Sequence, residues 1–267
     1  KLKNTPTICL NMIVKNESKI IKRLLLSVLP IIDTYLICDT GSTDNTVEII
    51  ETFFQEKKIP GQVIFEPFQN FGYNRDFALK QAKTKADYIL LLDADMVLEI
   101  DPKFKKDMLT EKSYMLLQKN PQLNYYNTRL VHSDVNAKCV GVTHEYYDLG
   151  GVEPKKLHLL YINDIGDGGA KSDKLDRDIK LLLAGIDNEP NNERYHFYLA
   201  QTYKDKGDIS NAINYYTKRF CMGGWKEEVF YSAYRLACCY QILKDEINNA
   251  RMRKKGLYDD QREERAE

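Results

Sequence analysis

The chain has 267 residues, with 39 basic side chains against 39 acidic ones and a formal net charge of zero. That length suits one large domain or two modest ones, and the even balance argues against a nucleic-acid binder, which normally carries a basic face. The balance also holds within residues 1–165 and within 166–267 separately, so no basic half hides behind an acidic one.

The first ninety-five residues alternate strand and helix signals. Thr7–Val14 is a short apolar run rich in β-branched residues, the pattern of a buried strand. Ser18 is placed to cap a helix that Pro30 ends. Tyr35–Cys38 reads as a second strand, Asp39-Thr40-Gly41-Ser42-Thr43-Asp44 as turn chemistry, and Asn45–Lys57 as a helix. Gln62–Phe65, Gly72–Lys85 and Asp87–Leu92 repeat the cycle of strand, helix and strand. Such spacing predicts a parallel sheet flanked by helices, with ligands at the carboxyl ends of its strands.

Residues 96–165 hold short strand-like pieces at 113–118, 125–130, 138–143 and 157–162, an antiparallel extension or second small sheet. After Gly166-Asp167-Gly168-Gly169 the pattern is helical to the end. There Leu199-Ala200-x-x-Tyr203 returns as Leu236-Ala237-x-x-Tyr240, and Gly207, Ala212 and Tyr216 fall at the offsets of a 34-residue helix–turn–helix repeat. The expected division is 1–168 and 169–267.

No apolar run is longer than Tyr88–Leu92, far short of the ~20 residues that cross a bilayer. The first residue is Lys1, consistent with a trimmed N-terminus. Six cysteines without a CxxC pair, several inside apolar stretches, read as buried reduced thiols of a cytoplasmic protein. Walker A, GxSxG, HExxH and zinc-spaced Cys/His strings are absent.

Several side chains stand out by placement. Asp93-Ala94-Asp95 ends the strongest buried-strand signal; two carboxylates there suit a hard divalent cation or, equally, an exposed strand-end turn. Asp176-Arg177-Asp178, the other D-x-D string, falls in a helical segment and reads as a solvated face. Asp39 ends a strand and is poised to accept from a base or ribose donor, whereas Thr43 or Asp44 caps the next helix. Asn74-Arg75 lies at a helix start beside the strand-end cleft, where an arginine clamps phosphate or carboxylate or is simply exposed. In His144-Glu145, one group could ligate metal or orient an acceptor and the other take a proton. Asp164 and Asp167, before the glycine pair, are further carboxylates that could return to a metal.

Four segments in order resemble the family 2 glycosyltransferases of GT-A fold: residues 9–17 (CLNMIVKNE), 38–46 (CDTGSTDNT), 71–79 (FGYNRDFAL) and 91–95 (LLDAD). The helical tail resembles the tetratricopeptide segment that follows some of these domains. The resemblance implies a Rossmann-like mixed sheet with flanking helices, then an all-α TPR-like region. It implies a nucleotide-sugar donor, by family habit UDP-linked, and a glycan or protein acceptor. Asp39, Glu17, Asn74, Arg75 and Asp93 would line the donor, and Asp95 would hold Mn²⁺ or Mg²⁺ with Asp93. Glu145, paired with His144, would be the base of an inverting displacement. Where many GT-A enzymes carry a late metal-binding His, this chain has Asp164, a replacement ligand or a missing one. Two other readings stay open: an inert domain whose helical repeats bind protein, and a nucleotidyltransferase, which would need glycine in the Val14–Ser18 loop.

Overall fold

The computed structural model describes residues 5–168 and 173–263, with side chains as far as Ile247. Two compact units divide the chain, residues 1–172 and 173–267. Gly169, second of the expected glycine pair, lies outside the described residues.

The first unit is a mixed α/β domain of GT-A type. Its parallel strands are β1 (Ile8–Val14), β2 (Thr34–Asp39), β3 (Gly61–Phe65) and β4 (Tyr88–Leu91), alternating with α1 (Ile21–Val28), α2 (Thr46–Lys57) and α3 (Phe71–Ala82). β5 (Met96–Ile100), β6 (Ser113–Lys119), β7 (Asn124–His132) and β10 (Lys155–Asp164) complete an eight-stranded sheet in the order β3-β2-β1-β4-β7-β6-β10-β5. β7 joins the parallel half by pairing antiparallel to β4. β8 (Lys138–Val140) and β9 (Tyr146–Asp148) form a separate antiparallel ribbon.

β5 is short, and its one polar residue in five, Glu99, gives no alternation to read from the sequence. It lies at the far edge of the sheet, so Asp93-Ala94-Asp95 is the start of a crossover from mid-sheet to edge. The core has two layers. Leu10, Met12, Ile37 and Leu90 pack with Leu24, Leu25, Ile50 and Phe54 of α1 and α2. Cys9, Leu36, Ile89 and Leu91 pack with Leu79 and Ala82 of α3 on the other face. This inside–outside alternation on both faces is what burial of a parallel sheet under two helix layers requires.

Two helix starts differ from expectation. α1 begins at Ile21 without a side-chain cap: Ser18 lies two residues before the N-cap position, and both its N–H (3.2 Å) and its side chain bond the Asp44 carboxylate. α2 begins after Asn45, and Asp44 takes the Thr46 N–H (3.0 Å) and its hydroxyl (2.5 Å) from one residue further out. α3 is capped by Asn70, which accepts from the Tyr73 N–H at 2.8 Å.

The second unit contains α4 (Lys174–Asn188), α5 (Glu193–Lys206), α6 (Ile209–Met222) and α7 (Lys226–Glu263). Gly207, in the left-handed region at φ 87°, turns α5 into α6. Phe197, Ala200, Ala212, Tyr216 and Cys239 form its core. The first repeat copy is thus a packed helix pair. The second is not: α7 runs unbroken through Glu263, and Tyr240 stays 52% exposed. Asp178 is a further correction, since it is buried rather than on a solvated face. Arg219, wholly buried, bonds Glu228 of α7 through Nε (2.7 Å) and the Gly223 carbonyl (2.6 Å), and reaches Glu193 of α5 at 3.4 Å.

Candidate active site

The first two loops at the carboxyl end of the sheet are laced together. Asn16, left-handed at φ 56°, donates its N–H to Ser42 Oγ (2.9 Å) and accepts the Thr43 N–H on its side chain (2.7 Å). Glu17 donates its N–H to Thr46 Oγ1 (2.8 Å). Asp39 accepts from the N–H groups of Gly41 (3.2 Å) and Ser42 (3.1 Å), so its carboxylate shapes its own turn. Gly41 at φ 116° permits that turn. Burial pushes the Asp44 carboxyl up, but the bonds from Ser18 and Thr46 outweigh it and hold the group at about 2.

Arg75 stands on α3 and reaches two carboxylates. Its Nε donates to Glu145 Oε1 (2.7 Å) and its Nη2 lies 2.5 Å from Asp93 Oδ1. Burial works against both charges of the Arg75–Asp93 pair. Asp93 and then Glu145 outweigh it for Arg75, raising its pKa further; Arg75 and then Arg129 outweigh it for Asp93, holding that carboxyl low. Arg129, buried on β7, contacts Asp93 Oδ2 at 3.5 Å, donates to the Leu91 carbonyl (3.3 Å) and grips Gln118 Oε1 (2.8 Å). Gln118 in turn donates Nε2 to Asp164 Oδ2 (2.9 Å). One continuous polar chain therefore runs Glu145–Arg75–Asp93–Arg129–Gln118–Asp164, across the ends of β9, β4, β6 and β10.

Glu145 is delivered by a close backbone approach. Phe71 and Gly72, in the first turn of α3, donate their N–H groups to Val142 O (3.1 Å) and Gly141 O (3.0 Å). A Cβ on Gly72 would stand 2.2 Å from Gly141 O, so only glycine admits the contact. Between the docked loop and Glu145, His144 adopts φ 52°. A non-glycine residue in the left-handed region is strained, and such strain concentrates where a side chain must be aimed.

The sequence-selected residues thus fall into groups. Arg75 contacts both Asp93 and Glu145, and Asp164 joins them through Gln118 and Arg129. Asp95 and Glu17 converge on Gly168: a Cβ there would lie 3.2 Å from Asp95 Oδ2 and 3.4 Å from Glu17 Oε1. Asn74 stands apart and is corrected as a donor contact. It is fully buried, and its amide accepts from Gln69 N–H (2.9 Å) and donates to Glu66 O (3.2 Å) and Pro67 O (3.0 Å). Arg129 and Gln118 were missed because a lone Arg and Gln inside strands carry no local signal. Tyr125 was missed too: it pairs with Gln118 across the ladder, is 36% exposed, and burial raises its phenol pKa.

The expected metal set does not assemble as such. Among the described residues no three His, Cys, Asp or Glu side chains converge on one point. Asp93 lies between two guanidiniums, and Asp164 accepts from the Gln118 amide. Carboxylate oxygens of Asp95 and Glu17 both approach Gly168, the oxygen chemistry that a hard divalent cation takes.

Residues 9–113 match the model of the family described as Glycosyl transferase family 2, a stretch that contains all four motif segments. The glycosyltransferase SunS, from the SPbeta prophage of Bacillus subtilis (strain 168) and from Bacillus phage SPbeta, is 38% identical over 93 residues. That alignment covers 34% of this chain and 21% of SunS, so the chain spans about a fifth of its curated relatives. The crystal structure of S. aureus TarS superposes with TM-score 0.50 at 13% identity, covering 88% of this chain and 54% of that one, which is a likeness of fold. Glu145, Arg129 and Asp164 all lie outside the matched family segment.

Proposed function

We propose that the first unit is a glycosyltransferase domain that moves a sugar from a nucleotide-sugar donor, UDP-linked by family habit, to a hydroxyl of a glycan or protein acceptor. The observation that carries the reading is the contact of Arg75 with both Asp93 and Glu145, at the carboxyl end of a sheet whose first strands match the family 2 model.

The mechanism is a single displacement. Glu145 uses Oε2 to accept the proton of the acceptor hydroxyl, while Arg75 fixes Oε1 and so the direction of the carboxylate. The acceptor oxygen attacks the anomeric carbon opposite the diphosphate, whose C–O bond breaks with its electron pair retained on phosphate. One attack from the far face inverts the configuration. Asp95, with Glu17 beside it, would hold Mn²⁺ or Mg²⁺, whose contribution is to offset charge on the departing diphosphate. Asp39 meets the nucleoside. His144 sets the backbone bend that aims Glu145. The α5–α6 pair, with Ala200, Ala212 and Tyr216 in its core, is read as one tetratricopeptide-like repeat that positions an acceptor. Six free thiols support a reducing, cytoplasmic setting, and among the described residues no helix is long and apolar enough to cross a membrane.

The test is a donor-hydrolysis screen with UDP-, GDP- and dTDP-sugars, each with Mn²⁺ or EDTA. Turnover of one donor, lost with EDTA and in Asp95→Ala while the fold persists, is expected. A second reading, an inert domain beside a binding repeat, draws on the lack of a third convergent metal ligand among the described residues. Nucleotide binding without turnover of any donor would favour it.

A further inference from the structure

We propose that Arg129, held by Gln118, is a positioning residue for Glu145 and acts through Asp93 and Arg75. The inference rests on the glycosyltransferase reading for its consequence in turnover, though not for its geometry.

Four charges stand in one line of alternating sign: Glu145, Arg75, Asp93, Arg129. Asp93 is the shared member, with Oδ1 toward Arg75 (2.5 Å) and Oδ2 toward Arg129 (3.5 Å). Arg129 cannot follow Asp93 if it moves, because Gln118 Oε1 holds its Nε and Nη2, and the Leu91 carbonyl holds the same Nη1 that faces Asp93. Gln118 is itself fixed by Asp164. The rigid end of the chain is therefore β6–β7, and the free end is the carboxylate that takes the proton. With Arg129 neutral, Asp93 would have one guanidinium instead of two. The favourable rearrangement is then a two-toothed Arg75–Asp93 pair, the strongest geometry open to those groups, with Nε withdrawn from Glu145. Glu145 would lose its orientation although no atom near it was altered.

The experiment is Arg129→Met and Arg129→Lys, each alone and in a Glu145→Gln background, with donor turnover and UDP calorimetry as readouts. Arg129→Met should lower kcat about tenfold to a hundredfold, the scale of a misplaced reacting group. UDP affinity should stay within about twofold, and Arg129→Lys should restore part of kcat. On top of Glu145→Gln, Arg129→Met should add nothing. A loss that multiplies with Glu145→Gln, or that appears equally in UDP affinity, overturns the proposal. Should Arg129→Met fail to fold, Gln118→Leu keeps both arginines and should show the same pattern at smaller size; unchanged turnover there overturns it. A readout free of turnover separates this inference from the activity itself. The ¹⁵N resonance of Arg75 Nε should move in Arg129→Met toward its position in Glu145→Gln. An unmoved resonance defeats the positioning role, whereas a wild type that turns over no donor defeats only the enzymatic reading.

Discussion

Along β3-β2-β1-β4 the polar groups of interest stand at or just past strand ends, close in sequence to turn residues that announce them. Asp39 closes β2, and Asp93 follows β4 by two residues. In the antiparallel half, Arg129 and Gln118 sit inside β7 and β6, and Glu145 is brought in by a loop docked on α3. The parallel half builds its site from local chain geometry. The antiparallel half builds its share by register, from residues far apart in sequence, so its contribution depends on sheet pairing being complete.

Glu145→Gln should separate the halves most sharply. Turnover should fall about 10²–10⁴-fold, the usual worth of a general base, while calorimetry finds nucleotide affinity unchanged. Equal losses of both would erase the distinction. Gly72→Ala attacks the joint between the halves. A Cβ 2.2 Å from Gly141 O must push the Glu145 loop away, costing about 1–3 kcal/mol in chemical denaturation and lowering kcat more than it weakens UDP binding.

The same comparison has a version in acid. The Asp44 carboxyl is held at about 2 in the fold, against about 3.9 in an unfolded chain. Its stabilisation is fully present above pH ~4 and is lost as pH falls toward 2, because the unfolded state then binds the proton first. Thermal melts between pH 6 and 2 should show this loss, and Asp44→Asn should flatten that part of the curve. The smallest effect concerns thiols. Burial pushes Cys9 and Cys139 up to about 12 and Cys38 to about 11. A thiol reagent at pH 8 should therefore label exposed Cys221 rapidly and these three only on unfolding. Rapid labelling of Cys139 would mean that the β8–β9 ribbon opens readily.

The difference between the halves also explains what could be read from sequence. The parallel strands, their helices and the four motif segments were legible because burial on both faces and turn chemistry write themselves into neighbouring residues. β5 was not, since five residues with Glu99 among them give no period. Asn74 was misjudged because a helix-start Asn next to an Arg suggests a ligand, whereas its amide ties the 66–69 loop. Asp93 suggests metal by its place at a strand end, and Asp164 by standing where the resemblance expects a late His. Which carboxylates meet cations from the protein itself is decided by Arg129, thirty-six positions after Asp93 and reached only through strand register. In the helical unit Gly207 and its small neighbours foretold one helix pair, but nothing in the second copy replaced that glycine, and α7 continued.

His144 gives the backbone and the imidazole of one residue separable jobs. Its left-handed conformation costs a side-chain-bearing residue about 1 kcal/mol or more and costs glycine nothing. Replacing it by glycine therefore makes the bend easier while removing the ring, and replacing it by valine keeps bulk while opposing the bend. Genetic libraries at this single codon would sort the two jobs without any knowledge of the acceptor. Survivors limited to Gly, Asn and Asp would identify a hinge constraint, whereas survival of His alone would identify chemistry.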